Sequence, residues 1–183
     1  MARRFAFALA VLAGLVAVVG FINWRLCEQP LSRVIAGNPK YSGIVAHAHF
    51  GGFVAPRTLV FDVREIGEKT KRLDVFRVLL EFAESQAASD FESVELDFRG
   101  ETKFVLRGKY FQSLGLDARD QNPIYVVRMF AQNARRSDGA QAFPTRAGTE
   151  FPTIAMQLQD FNDLHDQWYR SELARPAAPS SAP

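Results

Sequence analysis

The chain has 183 residues, a formal net charge of +2 and a single cysteine. One cysteine excludes an intramolecular disulfide framework, and the length suffices for one domain with one core. Residues 1–40 hold five basic side chains against one acidic one, which leaves 17 basic against 19 acidic side chains in residues 41–183. Because such a region lacks the attraction that dominates nucleic-acid affinity, we expect no nucleic-acid partner.

Residues 1–25 are predicted to be a membrane anchor. Arg3 and Arg4 precede an uninterrupted apolar run from Phe5 to Trp24. A helix of that length reaches about 30 Å, the thickness of a bilayer hydrocarbon core. The run is longer than the apolar region of a secretory signal peptide, and no A-x-A pattern follows it. We therefore expect a retained single-pass signal-anchor, with cleavage as the alternative.

The orientation of the anchor follows from its flanks. A very short basic N-terminus is normally retained in the cytoplasm while the C-terminal part is exported. A composition rich in Ala and Arg is typical of bacterial chains. These features predict a protein of the bacterial inner membrane whose domain lies in the periplasm.

The rest of the chain divides into three parts. Residues 26–40 contain two prolines and a glycine without a sustained period, which predicts a connector. Residues 41–173 are predicted to form one folded domain, and residues 174–183, rich in Pro, Ala and Ser, to be disordered. On this division Cys27 lies outside the folded part. Cys27 follows Trp24, Arg25 and Leu26, which are not the small residues expected at a lipoprotein processing site, so lipidation is not expected. The thiol is expected to be inert, with a disulfide between two anchored copies as the alternative.

The first half of the domain is predicted to form a strand, a helix and a hairpin. Apolar and polar residues alternate over residues 59–64, which predicts a half-buried strand. A helix is predicted from Thr70, as its N-cap, to Ala88. Its buried face is predicted to consist of Leu73, Phe76, Leu80, Ala83 and Ala87. Alternation on both sides of Gly100 predicts an antiparallel hairpin.

The second half adds three elements. A short helix from Lys109 to Leu114 is predicted to end at Gly115. The β-branched and aromatic residues of 124–130 favour a strand. A last amphipathic helix is predicted from Ile154 to Leu173. The predicted order is therefore β-α-β-β-α-β-α, an α+β fold that follows an N-terminal transmembrane helix.

Two short segments resemble a family. QNPIY (residues 121–125) and DFNDLHDQWY (residues 160–169) resemble a group of uncharacterised small single-pass bacterial membrane proteins. The resemblance covers the C-terminal half and implies no known activity, so it assigns no catalytic or binding residue. It supports placement in the cell envelope.

His47 and His49 are the main candidates for chemistry. Alternate residues of a strand share a face, so the two imidazoles are candidate metal ligands. A metal site needs three or four ligands, and no third ligand is visible nearby. Asp62 or Glu65 could supply one only on the assumption of a particular fold. The alternative is two ordinary histidines in a Gly-rich edge segment, so no metal or cofactor is expected.

Two acidic groups are weaker candidates. Glu101 and Lys103 after Asp97 superficially resemble a nuclease E-x-K element, but Glu101 is predicted to lie in the hairpin turn. Glu95 and Asp97 are instead predicted to lie near Lys103 and Arg107 on the outer face of the hairpin. The second group is spaced by three residues on the last helix: Asp160, Asp163 and Asp166. These positions fan across the helix surface instead of converging. Asp166 is predicted to pair with Arg170, and His165 to be a partly buried core residue beside Trp168.

No catalytic constellation is visible, so the chain is not expected to be an enzyme. The sequence favours a membrane-anchored envelope protein whose exported domain binds another protein in an accessory or assembly role. The alternatives are a metal-dependent hydrolase that uses His47 and His49, and a domain that binds a small ligand or lipid through its Phe-rich core.

Overall fold

A computed structural model describes the backbone of residues 2–120 and 123–173 and the side chains of residues 9–116 and 124–173. The predicted disordered tail, residues 174–183, lies outside the described residues.

The chain begins with one continuous helix and continues into a mixed α+β domain. The continuous helix consists of α1 (Ala2–Asn23), a π-helical turn (Trp24–Glu28) and α2 (Gln29–Gly37). The domain contains β1 (Ile44–Gly51), β2 (Ala55–Ile66), α3 (Arg72–Ser85), β3 (Ser93–Phe98), β4 (Glu101–Arg107), α4 (Gly108–Asp120), α5 (Pro123–Phe130), α6 (Phe151–His165), a second π-helical turn (Asp166–Arg170) and α7 (Ser171–Leu173).

The four strands form one mixed sheet in the order β1-β2-β3-β4. β1 and β2 are antiparallel, β2 and β3 are parallel with α3 as their crossover, and β3 and β4 are antiparallel. The α+β class, the long apolar N-terminal helix and the antiparallel hairpin are therefore confirmed. β1 and β4 are the two edges of the sheet.

The core lies between one face of the sheet and the helices. One cross-strand row of buried apolar residues runs through all four strands: Ala48, Phe61, Leu96 and Phe104. The Phe61 ring lies 5.9 Å from the rings of both Phe82 on α3 and Trp168 in the second π-helical turn. These contacts place α3 and the C-terminal helix on the same face of the sheet.

The predicted strand at residues 124–130 is wrong, because this segment is helix α5. Val126 and Phe130 are buried while Ile124 and Tyr125 are exposed, which is a helical burial period. Pro123 fits the first turn of a helix, where no N–H is needed. The predicted order also omits strand β1, so the α+β class holds but the order of elements differs.

The segment expected to be a connector is helical. Cys27 and Leu31 in it are fully buried in the core, so the expectation that Cys27 lies outside the folded part is wrong. Pro30 has no N–H, which leaves the carbonyl of Leu26 without its usual helical partner. Gln86 Nε2 of α3 donates a hydrogen bond to that carbonyl at 2.9 Å. The proline thus creates the acceptor by which the helix docks on α3.

Two predicted helices differ in detail from the observed ones. Leu73 was predicted to face inward but is exposed. α3 instead buries a neighbouring face: Val75, Phe76, Val78, Leu79, Phe82 and Ala83. α4 continues through Gly115, which was predicted to end it. A Cβ at Gly115 would lie 2.5 Å from the backbone carbon of Ala83, so the glycine permits a close helix–helix contact.

We expect Gly115→Ala to lower the free energy of unfolding by about 1–3 kcal/mol, because the added methyl group would force α4 away from α3. The control is Gly37→Ala, since a Cβ there meets no atom within 4 Å. Alanine in the middle of an unobstructed helix stabilises by roughly 0.5–1 kcal/mol, and at Gly37, the last residue of α2, it should stabilise by no more than that. Denaturant titration in a mild detergent measures both variants, and a stabilised Gly115→Ala protein would contradict the close contact.

Candidate functional site

The N-terminal helix closes the open edge of strand β1. Asn23 Oδ1 accepts a hydrogen bond from the backbone N–H of Phe50 at 2.8 Å, and Glu28 Oε2 accepts one from the N–H of Ala48 at 2.8 Å. The two donors are two residues apart on an edge strand, so both point away from β2. The helix side chains satisfy donors that a further strand would otherwise pair with.

Asn23 connects three parts of the chain. Its side-chain nitrogen donates to the carbonyl of Val19, one turn earlier, at 2.9 Å and to the carbonyl of Phe53 at 2.8 Å. Phe53 lies in the loop between β1 and β2. Asn23, the strongly polar residue of the apolar run, is buried, and its amide nitrogen and oxygen both take part in holding the helix, the strand and this loop together.

A groove lies where the helix meets the sheet. Both sequence-predicted histidines line this groove. The full lining is Gly20, Asn23, Trp24, Glu28, His47, Ala48, His49, Phe53 and Arg64. Ala46, Ala48 and Phe50 are buried in the core. Because residues alternate along a strand, His47 and His49 share the opposite face, as predicted.

The two histidines have different partners. His47 Nδ1 lies 3.0 Å from Glu28 Oε1, in an ion pair when the imidazole is protonated. His49 Nδ1 lies 2.8 Å from the carbonyl of Phe50, so this nitrogen is the donor, and its ring stacks on Phe53 with 4.2 Å between the centroids. These contacts orient both rings toward structural partners.

Asp62, the third ligand considered for a metal, lies opposite His47 but binds elsewhere. Its Oδ1 accepts from the N–H of Gly100 at 3.1 Å, and its Oδ2 lies 2.5 Å from an Arg64 nitrogen. Within residues 9–116 and 124–173, no three His, Cys, Asp or Glu side chains are placed to hold one metal ion. To hold a metal ion, the two histidines would therefore need further ligands from outside these described residues.

Sequence reasoning missed a pair of buried carboxylates. Asp62 on β2 lies opposite Asp97 on the parallel strand β3, and both are buried. Burial raises the pKa of Asp97 to about 6, with smaller contributions in the same direction from Glu95 and Asp62, while a hydrogen bond from Thr102 and the charge of His49 act against it. A carboxyl group with such a pKa can exchange a proton near neutral pH.

The pair could not be found by inspecting either strand alone. Each aspartate sits in an alternating pattern that predicts a solvated outer face. Only the parallel pairing of β2 with β3 places the two carboxylates together. Neither of them lines the groove.

The charged residues predicted to lie near one another across the hairpin are not directly opposite one another. A register shift after Leu96 places Asp97 opposite Thr102, and Glu95 faces Val105. Glu101 lies in strand β4 and not in the turn. Lys103 instead contacts Glu101 at 2.8 Å and also pairs with Glu172 of α7. The Glu101–Lys103 element thus fastens the C-terminal helix to the sheet edge.

The three aspartates of the last helix diverge, as predicted. Asp160 binds Arg146 through both oxygens, at 2.6 and 3.3 Å. Asp163 accepts from Gln159 at 2.7 Å. Asp166 pairs with Arg170 at 3.5 Å, as predicted, and with Arg72 of α3 at 2.6 Å. Each carboxylate has its own structural partner.

His165 is a core residue beside Trp168, as predicted, and its ring is 5.8 Å from the indole. Its Nδ1 lies 2.8 Å from the hydroxyl of Tyr169. Burial, assisted by the positive charges of Arg72 and Arg170, lowers its pKa to about 3. The imidazole is therefore neutral at physiological pH.

We expect Asp97→Asn to remove part of the pH dependence of stability. The folded protein binds the Asp97 proton up to pH 6, whereas an unfolded aspartate releases it near its ordinary pKa of 3.8. Stability therefore falls as the pH rises from about 4 to about 6, by at most roughly 3 kcal/mol from this group. Denaturation at pH 4.5 and 7.5 should show Asp97→Asn gaining stability over the unsubstituted protein at the higher pH, whereas Asp163→Asn, at a partly exposed helix position, should not. Parallel pH profiles for the protein and Asp97→Asn would contradict this.

One helix among the described residues, Leu9–Gly37, is long and apolar enough to cross a membrane, which suggests a membrane-anchored protein. Searches found no matching protein-family model, no similar curated protein and no similar solved structure.

Proposed function

We propose that the protein is a single-pass protein of the bacterial cell envelope whose periplasmic domain binds another protein, in an accessory or assembly role. The continuous N-terminal helix carries this proposal. It joins the candidate membrane span to the domain without a flexible linker, because Cys27 and Leu31 are core residues and Glu28 binds the sheet edge. A domain held at a fixed height and orientation suits docking to a neighbouring membrane protein.

The orientation in this proposal rests on the flanks of the span. Arg3 and Arg4 form a very short basic N-terminus, which favours a cytoplasmic N-terminus and an exported domain. The acidic balance of residues 41–183 is also compatible with a protein partner rather than nucleic acid.

The surface best suited to a partner lies on α5 and α6. Five large apolar side chains are exposed there: Ile124, Tyr125, Phe151, Met156 and Leu158. Phe151 is the most exposed of them, at 83%. Single exposed apolar residues are ordinary, but several on one helix pair are typical of a protein interface, where aromatic residues contribute most of the affinity.

This helix pair is held in place by polar contacts. Arg128 of α5 donates to Gln157 of α6 at 2.6 Å and to the carbonyl of Gly148 at 3.1 Å. The Arg146–Asp160 pair fixes the preceding loop to α6. The exposed apolar side chains therefore lie on helices that are already fixed relative to each other, which lowers the entropy lost on binding.

The polar side chains considered as candidates for catalysis are engaged in structural ion pairs, which favours a binding role. His47 pairs with Glu28, and Lys103 with Glu101 and Glu172. These side chains connect elements of the fold.

Photo-crosslinking tests the proposal. We expect a photoreactive phenylalanine analogue at position 151 of the full chain, irradiated in native membranes, to give one discrete adduct. The same analogue at the exposed Asp138, in a turn outside the α5–α6 pair, should give none. Tyr125→Asp should abolish the adduct at position 151 without changing the amount of protein. Absence of an adduct, or equal adducts from positions 151 and 138, would contradict a partner site on α5 and α6.

A further inference from the structure

We propose that the tip of the β1–β2 hairpin, residues 51–54, is a second membrane contact that inserts Phe53 and Val54 into the interfacial layer of the bilayer beside Trp24. This inference rests on the membrane anchoring in the proposed function, and it adds a lipid-facing element to the domain itself.

The tip lies at the level where the apolar run of the helix ends. The carbonyl of Phe53 accepts a hydrogen bond from Asn23 Nδ2 at 2.8 Å, and the same nitrogen donates to the carbonyl of Val19. The run from Phe5 to Trp24 matches the hydrocarbon thickness, so its last turn lies where acyl chains meet headgroups. A loop bound to that turn is placed at the membrane surface.

The chemistry of the tip fits lipid. Phe53 is 55% exposed and Val54 is 72% exposed. No residue from 50 to 56 is charged. Trp24, half-exposed on the adjacent helix, is the aromatic type enriched at membrane interfaces. The exposed apolar side chains of the tip and the indole therefore lie at one depth.

The backbone of the tip shows that Phe53 is not the residue that folding alone would favour. Gly52 and Phe53 occupy the centre of a turn closed by a hydrogen bond from Val54 N–H to the Gly51 carbonyl at 3.1 Å. Both have positive φ angles, +52° and +65°. Glycine and asparagine are preferred at such positions, and a bulky aromatic residue there is an outlier.

The residue with this unfavourable backbone angle, Phe53, is also held in a fixed position. His49 stacks on the ring of Phe53, and Asn23 binds the carbonyl of the same residue. A strained residue that the surrounding structure holds in place points to a functional role. Here the role that fits an exposed apolar ring beside a membrane span is contact with lipid.

Depth-dependent quenching tests the insertion. Full-length protein is reconstituted into phosphatidylcholine–phosphatidylglycerol vesicles, with an environment-sensitive fluorophore on a cysteine introduced by Val54→Cys, Val16→Cys or Ser137→Cys. Val16 lies in the span and Ser137 in an exposed turn of the domain. Cys27 is fully buried, and labelling of the unsubstituted protein in parallel checks that it does not react.

We expect lipids with a nitroxide near the headgroup to quench the label at position 54, and lipids with a deep nitroxide to quench the label at position 16. The label at position 137 should keep its fluorescence in both. Quenching at position 16 with none at position 54 would overturn the tip contact and leave membrane anchoring intact. Quenching at neither position would overturn the anchoring as well as the tip contact.

Phe53→Asn separates insertion from folding. Because asparagine tolerates a positive φ, this variant should resist denaturation at least as well as the unsubstituted protein in detergent, yet weaken quenching of the label at position 54. The matched control is Arg99→Asn, which changes a residue with a φ of +54° in the other hairpin. It should leave quenching at position 54 unchanged. A destabilised Phe53→Asn protein whose label is still quenched would overturn the proposal.

Discussion

The structure depends on the hydrogen bonds by which Asn23 and Glu28 close the outer edge of strand β1. An open strand edge presents unpaired N–H groups that invite association with another chain. Here the helix supplies acceptors to Phe50 and Ala48 at 2.8 Å each. The element that leads out of the candidate membrane span thus also completes the sheet.

The π-helical turn makes this contact possible. Asn23 and Glu28 are five residues apart, the hydrogen-bond spacing of a π-helix, and both reach the same strand edge. Pro30 lies just beyond and removes the N–H that would otherwise pair with Leu26. Gln86 binds the freed carbonyl, so the irregular turn is fixed on both the sheet side and the α3 side. In the proposed function, this junction sets the orientation in which the domain meets a partner and the depth at which the hairpin tip meets lipid.

Local patterns in the sequence were sufficient for the apolar helix, the β3–β4 hairpin and the amphipathic C-terminal helix, because each is defined by its own periodicity. Local patterns failed where contacts between residues distant in sequence determine the secondary structure. Residues 124–130 have strand-forming side chains, yet burial of Val126 and Phe130 one turn apart favours a helix. Residues 26–40 contain Pro and Gly, yet Pro30 is accommodated at the start of α2. Of the candidate site, the shared face of His47 and His49 was predictable, but the pairing of Asp62 with Asp97 depends on a parallel register that no short pattern encodes.

Hydrogen exchange at the amides of Ala48 and Phe50 tests the docking of the helix on the sheet edge most directly. Both amides should be protected in the full-length protein, although β1 has no strand on that side. Glu28→Ala should accelerate exchange at Ala48 by roughly 10- to 100-fold, as expected from the loss of about 1–3 kcal/mol when a buried donor loses its acceptor. Glu28→Gln, which keeps an acceptor oxygen, should retain most of the protection. Rapid exchange at both amides in the unsubstituted protein, or an Ala48 rate unchanged by Glu28→Ala, would contradict the account.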